Sequence, residues 1–320
     1  MAGLISKKMS PAIFRWFALA AFVSMILIVL SGAAVRLSGS GLGCPDWPQC
    51  SQHLITGPLG IHSAIEFGNR AVTGLLIIVT GVTVIAAWRR APIRLDLLWL
   101  SLSLVGGVLA DAVLGAFVVY SKLNPWLVSL HMLLSLSMVA LGATLYHRSK
   151  YLYVPGVKAV VRDPRMKLLA RLLWIPFVAV VLAGTVTSGA GPHAGSSQGQ
   201  LRAKRIPIAF NDAAWIHSVA AMFFVALVVG LLASVWRTGA PRPLQTGVRR
   251  LAIIASLQAV IGFTQYWLHV PVLLVELHIA GAVSLTIGVV QLNVRQIAHA
   301  RVPGTRRADA VTTPSGALRP

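Results

Sequence analysis

Ser31-Gly-Ala-Ala-Val-Arg36-Leu-Ser-Gly-Ser-Gly-Leu-Gly-Cys44-Pro-Asp46-Trp47-Pro-Gln-Cys50, followed a little further on by Ile61-His62-Ser-Ala-Ile-Glu66-Phe-Gly-Asn69-Arg70, is the stretch on which the reading of this chain turns. The first part is a Gly/Pro-rich loop that carries the only two cysteines of the protein. The second opens a long apolar segment and brings an imidazole, a carboxylate, an amide and a guanidinium into it. At about 100° per residue, positions 62, 66 and 69 fall on one face of a helix. Ionisable groups are costly in a membrane helix, so their presence together marks a functional region.

Of the 320 residues, 56% are hydrophobic and only 11% are charged, with a mean hydropathy of +0.77. A soluble domain carries about a quarter charged residues. Eight stretches, near 12–34, 63–88, 96–120, 126–147, 168–188, 213–236, 249–268 and 271–292, are long and apolar enough to cross a hydrocarbon core about 30 Å thick. The first is too long for the apolar core of a signal peptide, and no Ala-x-Ala-like site follows it, so it reads as a retained helix. The fold class is an all-α integral membrane protein of eight transmembrane helices.

The net charge of +20 raises nucleic acid as a partner, and its distribution argues against that. With an inside N-terminus, Lys7, Lys8, Arg15, Arg89, Arg90, Arg94, the Arg148–Arg171 region, Arg237–Arg250 and the tail from Arg295 all fall on the inner side. The outer loops keep Arg36, Lys122, Arg202, Lys204 and Arg205, and Arg70 lies at a helix mouth. This is the positive-inside pattern. It predicts a multi-pass protein of the cell membrane with both termini cytoplasmic, a basic tail facing lipid, and the cysteine loop outside. Cys44 and Cys50 would then lie where thiols tend to be oxidised. Their spacing suits neither a zinc knuckle nor a c-type heme motif; a structural disulfide and a working dithiol both remain open.

The eight segments read as two tandem four-helix bundles. Ala112-Val-Leu-Gly115 matches Ala259-Val-Ile-Gly262 without a gap, and the same offset places His131 on His278 and Asp111 on Gln258. In the second segment of each half Asn69 stands where His217 stands, one residue out of that register. Gly-Ala-Ala-Val-Arg-Leu-Ser-Gly before the cysteine loop echoes Gly184-Thr-Val-Thr-Ser-Gly189. The organisation expected is an N-terminal bundle over 1–150, a basic linker over 151–166, a C-terminal bundle over 167–295 and a basic tail over 296–320.

His217 and His278, at matching depth on two helices of one unit, are the pattern of a bis-histidine heme. The first half keeps His131 but has Asn69, a poor iron ligand, in the other place. His62 lies about 10.5 Å from Asn69 along the helix. Either His62 substitutes for the missing ligand, or Asn69 acts through a water, or the iron has one protein ligand and an open face. Glu66 beside an open face could accept a proton or stabilise developing positive charge. An i, i+4 pair with Arg70 is the plainer account of the same carboxylate. His53, His147, His193 and His299 are expected as solvated surface or loop histidines, and His269 as a turn residue before Pro271.

Val-Arg-Leu-Ser-Gly-Ser-Gly-Leu-Gly-Cys-Pro-Asp-Trp-Pro-Gln-Cys followed by Ile-Glu-Phe-x-x-Arg resembles the heme A synthase family, as do the eight-helix duplication and the repeat-related histidines. The resemblance covers nearly the whole chain apart from the basic tail. It implies oxidation of the C8 methyl of heme O to a formyl group through successive hydroxylations, for the supply of terminal oxidases. It implies a b-type heme held by His217 and His278 in the C-terminal half. In the N-terminal half it implies heme O at His131, with His62, Asn69 and Arg70 around it and Glu66 needed for activity. It also implies a disulfide or an electron-transfer role for Cys44 and Cys50. The family pattern in the second helix is commonly Glu-x-x-His-Arg, from which Asn69 departs.

Partners implied are heme O, an electron donor that the sequence does not identify, membrane lipid, and hand-over from the heme O synthase; a homo-oligomer stays open. Two rivals share the same physics: a membrane di-heme b-type electron carrier, and a transporter, against which the gathering of polar residues at the helix ends counts.

Overall fold

The computed structural model describes residues 8–44, 46–48, 50, 60–150, 160–161, 164–196, 203–295 and 297–298. Helices run over Pro11–Leu37 (α1), Gly60–Arg89 (α2), Leu95–Tyr120 (α3), Pro125–Ser149 (α4), Pro164–Leu172 (α5), Trp174–Ala190 (α6), Phe210–Arg237 (α7), Arg242–Trp267 (α8) and Val272–Arg295 (α9). Among the described residues the only strands are Val160–Val161 (β1) and Ile297–Ala298 (β2), paired antiparallel with Val160 opposite Ala298. Eight helical stretches are long and apolar enough to cross a membrane, α5 and α6 counting as one. Local sequence sets several ends. Ser10 Oγ accepts the Ile13 N–H at 3.3 Å ahead of Pro11, and Asn124 Oδ1 accepts the Trp126 N–H at 3.0 Å ahead of Pro125. These side chains satisfy orphan donors of the first turn, where proline's missing N–H costs nothing. The break at Leu173 follows from Pro176, which has no N–H for the Leu172 carbonyl.

The duplication is visible in the helix ends themselves. α3 and α8 both have 26 residues and begin and end at the same offset; α1 and the combined Pro164–Ala190 stretch both have 27. After α3 the chain turns through Lys122 (φ 53°) and Leu123 (φ 60°), and after α8 through His269 (φ 61°) and Val270 (φ 63°). Left-handed backbone is unfavourable for such residues and most of all for β-branched valine. The same capping bonds hold both turns: Leu123 N–H donates to Val118 O at 2.9 Å and Val270 N–H to Gln265 O at 2.6 Å. Aligned by its ends, α1 places Ser31, rather than Gly32, opposite Gly184, which refines the register that the loop echo suggests.

In the first half α1, α2, α3 and α4 pack as a closed ring; in the second, α6 meets α7, α7 meets α8 and α8 meets α9, while α5 rather than α6 provides the helix packing on α9. The halves meet through α4 against α9 and α6, and α1 against α9. One core is built from Phe14, Met25, Leu104, Val139 and Leu145, the other from Phe224, Val228, Val248 and Leu251, all buried. The outer surface is apolar, with exposed Leu75, Ile78, Val113, Phe223 and Val260. Exposed tryptophans ring its two ends, Trp16, Trp88, Trp99 and Trp236 at one and Trp126, Trp215 and Trp267 at the other. That distribution is a membrane protein's lipid-facing surface with interfacial aromatic belts. The end carrying Trp126 and Trp267 also carries the cysteine loop. There Gly41 N–H donates to Gly195 O at 2.9 Å and Arg36 donates to Ser188 Oγ at 2.6 Å and Ser188 O at 2.8 Å, tying the two halves together.

Candidate functional site

At this end α2, α4, α7 and α9 all begin, and the polar residues of interest lie within their first three turns. Cys44 and Cys50 form a disulfide, with Cα atoms 5.0 Å apart. The loop is fastened to α2 turn by turn. Ser40 Oγ lies 2.8 Å from His62 Nδ1, Ser63 Oγ donates to Gly43 O at 2.6 Å, and Cys44 N–H donates to Glu66 Oε2 at 2.8 Å. A Cβ on Gly43 would collide with the backbone carbonyl of His62, so only glycine permits this approach. Arg70 donates to Asp46 O at 2.6 Å and to Glu66 Oε1 at 2.5 Å. The expected Glu66–Arg70 pair forms, and Glu66, 5% exposed, additionally anchors the disulfide loop. His62 holds the same loop.

Asn69 Oδ1 accepts a hydrogen bond from Ser31 Oγ at 2.7 Å, across to α1. In the other half its counterpart His217 stands against Gly184. A Cβ there would lie 3.0 Å from His217 Cε1 and 3.3 Å from Nδ1. A small amide with a serine and a large imidazole with a glycine fill equivalent space, so the exchange at position 69 is matched on the neighbouring helix.

His131 and His278 are seated alike. A Cβ on Gly115 would be 3.5 Å from His131 Cε1, and one on Gly262 would be 3.3 Å from His278 Cε1. Their Nδ1 atoms differ. His131 Nδ1 lies 2.8 Å from Asp111 Oδ1, with the ring N–H pointing off the line between them, so the contact is electrostatic before it is a well-aligned hydrogen bond. Asp111 Oδ2 accepts from Ser135 Oγ at 2.6 Å. His278 Nδ1 is buried without a hydrogen-bond partner, and Gln258 instead donates to the His278 backbone carbonyl at 2.8 Å. His217 Nδ1 lies 3.1 Å from Val180 O, which requires the proton on that nitrogen and leaves Nε2 as the lone-pair nitrogen.

The His217 and His278 rings reach towards one another from α7 and α9, with centroids 6.1 Å apart and planes at 79°. Two imidazoles bonded on opposite sides of one metal at about 2 Å would have centroids about 6 Å apart, so this gap fits a single iron. Among the described residues no group of three or more His, Cys, Asp and Glu is placed to hold a metal ion. Two nitrogens suit a metal that brings its own equatorial ligands, as heme does.

Elsewhere, His193, expected as solvated, has Nε2 2.8 Å from Val270 O and pins its loop to the α8–α9 turn. His147 is half-buried beside Tyr146. His269 takes its expected place in a turn. His53 and His299 lie outside the described residues. Ser31, Gly184 and the Asp111–Ser135 pair are not read as site residues from motifs; the repeat alignment of Asp111 with Gln258 and the loop echo at Gly184 were the signals that touched them.

Fold and site define an eight-span membrane protein of two repeated four-helix units, with a disulfide-closed loop and a paired imidazole centre at one end. The chain matches the family model COX15-CtaA, described as cytochrome oxidase assembly protein, over residues 15–58 and 61–290, and it belongs to that family. It is 27% identical over 263 residues to the heme A synthase of Staphylococcus epidermidis, covering 78% of this chain and 84% of that one. To the heme A synthase of Staphylococcus saprophyticus it is 27% identical over 278 residues, covering 82% and 89%. To that of Lysinibacillus sphaericus it is 34% identical over 132 residues, covering 41% and 42%.

Proposed function

We propose that this protein is a heme A synthase, a membrane oxidoreductase that converts the C8 methyl of heme O to a formyl group. The observation that carries the reading is the asymmetry of two otherwise equivalent sites. One has two imidazoles 6.1 Å apart, and the other keeps the seated His131 but has Asn69, bonded to Ser31, in the second place. His217 and His278 would hold a b-type heme, which when bound supplies one-electron transfer. The first half takes heme O as substrate, with His131 on its iron.

Several tasks fall to the chain's own residues. His217, its Nδ1 proton committed to Val180 O, directs Nε2 away from that carbonyl. Glu66 carries a buried negative charge whose two oxygens are oriented by Arg70 and the Cys44 amide. It serves to stabilise positive charge developing at the methyl carbon, or to take its proton. The disulfide loop covers this end, and through Ser40, Gly43 and Cys44 it fixes the first three turns of α2. Each hydroxylation is a two-electron oxidation of the carbon by an oxidant supplied from outside the chain, which takes those electrons and replaces a C–H bond by C–OH; the second yields a hydrate that loses water to give the formyl group. An external electron donor and delivery of heme O from its own synthase complete the assignment. The positive-inside pattern supports a cysteine loop on the outer face of the cell membrane and both termini in the cytoplasm.

The test is heme extraction and chromatography from cells supplied with heme O, with and without this protein. A formyl heme, or its hydroxymethyl precursor, is the expected product. Bound protoheme with unaltered heme O, in folded protein supplied with reductant, would instead make it an electron carrier.

A further inference from the structure

We propose that Asp111 is a positioning residue that fixes His131 with its proton on Nδ1 and makes it a more strongly donating iron ligand than its counterpart His278. The inference rests on the reading of His131 as the heme O ligand and adds an electronic difference between the two sites.

Both rings turn the same Cε1 edge to the same glycine, Gly115 or Gly262, so their placement is shared and only the Nδ1 environment differs. In the first half a carboxylate oxygen stands 2.8 Å from Nδ1. Two lone pairs at that distance would repel, so Nδ1 carries the ring proton, although its N–H points off the line to Oδ1, and Nε2 keeps the lone pair. Ser135, one turn along α4 from His131, donates to the second oxygen at 2.6 Å and holds the carboxylate in place. A carboxylate on the far nitrogen of a ligating histidine fixes ring orientation and raises its basicity.

The second half has lost each part of this device. Ala282 replaces Ser135, so no hydroxyl is available, and Gln258 replaces Asp111. The longer amide is not directed at the His278 ring. It lies over Gly281, where any Cβ would collide with its Oε1, and its Nε2 donates to the His278 carbonyl. The residue equivalent to Gly281 is Leu134, a partly buried side chain packed against the first core. The acid therefore faces the imidazole and the amide the backbone. The site with one histidine has the charged support, and the site with two does without it. Electron donation through a single histidine is the lever that the first half retains for tuning its iron.

The experiment compares wild type with Asp111→Asn, Asp111→Ala and Asp111→Glu. In heme-free protein labelled with 15N-histidine, the His131 resonances, assigned by their loss in His131→Ala, should report an Nδ1-protonated ring in wild type and a mixture in Asp111→Ala. In protein loaded with heme O, Asp111→Asn should lower the Fe–His stretching frequency in resonance Raman and shift the potential of that heme positive. It should weaken heme O retention about tenfold. Asp111→Glu should recover part of each, and the heme of the second half should not change. An Nε2-protonated His131 in wild type, or an unchanged stretch and potential in Asp111→Asn with heme bound, would overturn the proposal. Failure of the underlying reading looks different: His131→Ala would then retain heme O with the wild-type Fe–His signature.

Discussion

Cys44 donates its backbone N–H to Glu66 at 2.8 Å, so the half-cystine of the loop and the buried acid of α2 form one structural unit. The acid is an acceptor for the loop, and the proposed function gives it a second role as a charge for chemistry; the two can be separated. Glu66→Gln keeps an acceptor oxygen for Cys44 and removes the charge. It should leave the loop closed and lower turnover by about 10²-fold or more. Glu66→Ala should do the same and also lower stability by about 2 kcal/mol, since a buried donor and Arg70 lose their acceptor. Turnover of heme O and thermal unfolding in detergent distinguish the two; full activity in Glu66→Gln would leave the carboxylate only its structural role.

Loss of either paired imidazole should remove the low-spin heme of the second half. His217→Ala and His278→Ala, purified folded, should each lose about one heme per chain, whereas His131→Ala should retain that heme. Pyridine hemochrome content and low-temperature EPR read this directly, and a full low-spin spectrum in either variant of the pair would refute the assignment.

The glycines behind the rings grade in tightness. A methyl at position 184 would sit 3.0 Å from His217, at 262 it would sit 3.3 Å from His278, and at 115 it would sit 3.5 Å from His131. Gly184→Ala should therefore displace its ring and cost about 1–3 kcal/mol in stability, with an altered low-spin spectrum. Gly115→Ala should be close to neutral in stability. Equal effects at 184 and 115 would contradict the packing argument.

Ser31 and Gly184 explain how the first half differs. Asn69→His alone places a ring where Ser31 stands, while Asn69→His with Ser31→Gly recreates the second-half arrangement. The double variant should bind a second low-spin heme and lose turnover, because both faces of the substrate iron are then occupied. Optical spectra and product chromatography test it; retained turnover with two low-spin hemes would count against an open iron face.

Much of this was legible along the chain. Hydropathy located all eight spans, and the shared offset of Gly115 with Gly262 and His131 with His278 exposed the duplication, which the helix ends and left-handed turns reproduce. The break at Leu173 was not anticipated, because the eight-segment reading set Pro176 inside one continuous span. The solvated reading of His193 failed because its acceptor, Val270 O, belongs to a distant turn whose backbone conformation no local pattern predicts.

That the chain lives in a membrane, that it is a duplicated four-helix unit, and which imidazoles occupy equivalent positions are all written in the linear order of residues. Those properties follow from hydrophobicity and spacing, which are read along one dimension. Which groups meet is a property of the folded chain. Glu66 with Cys44, Asn69 with Ser31, and Asp111 with His131 pair residues from different elements. Gln258 lies over Gly281 and donates to the His278 carbonyl, where the first half has Leu134 at the position of that glycine. Such choices depend on side-chain volume where helices touch, and that is fixed when the helices pack.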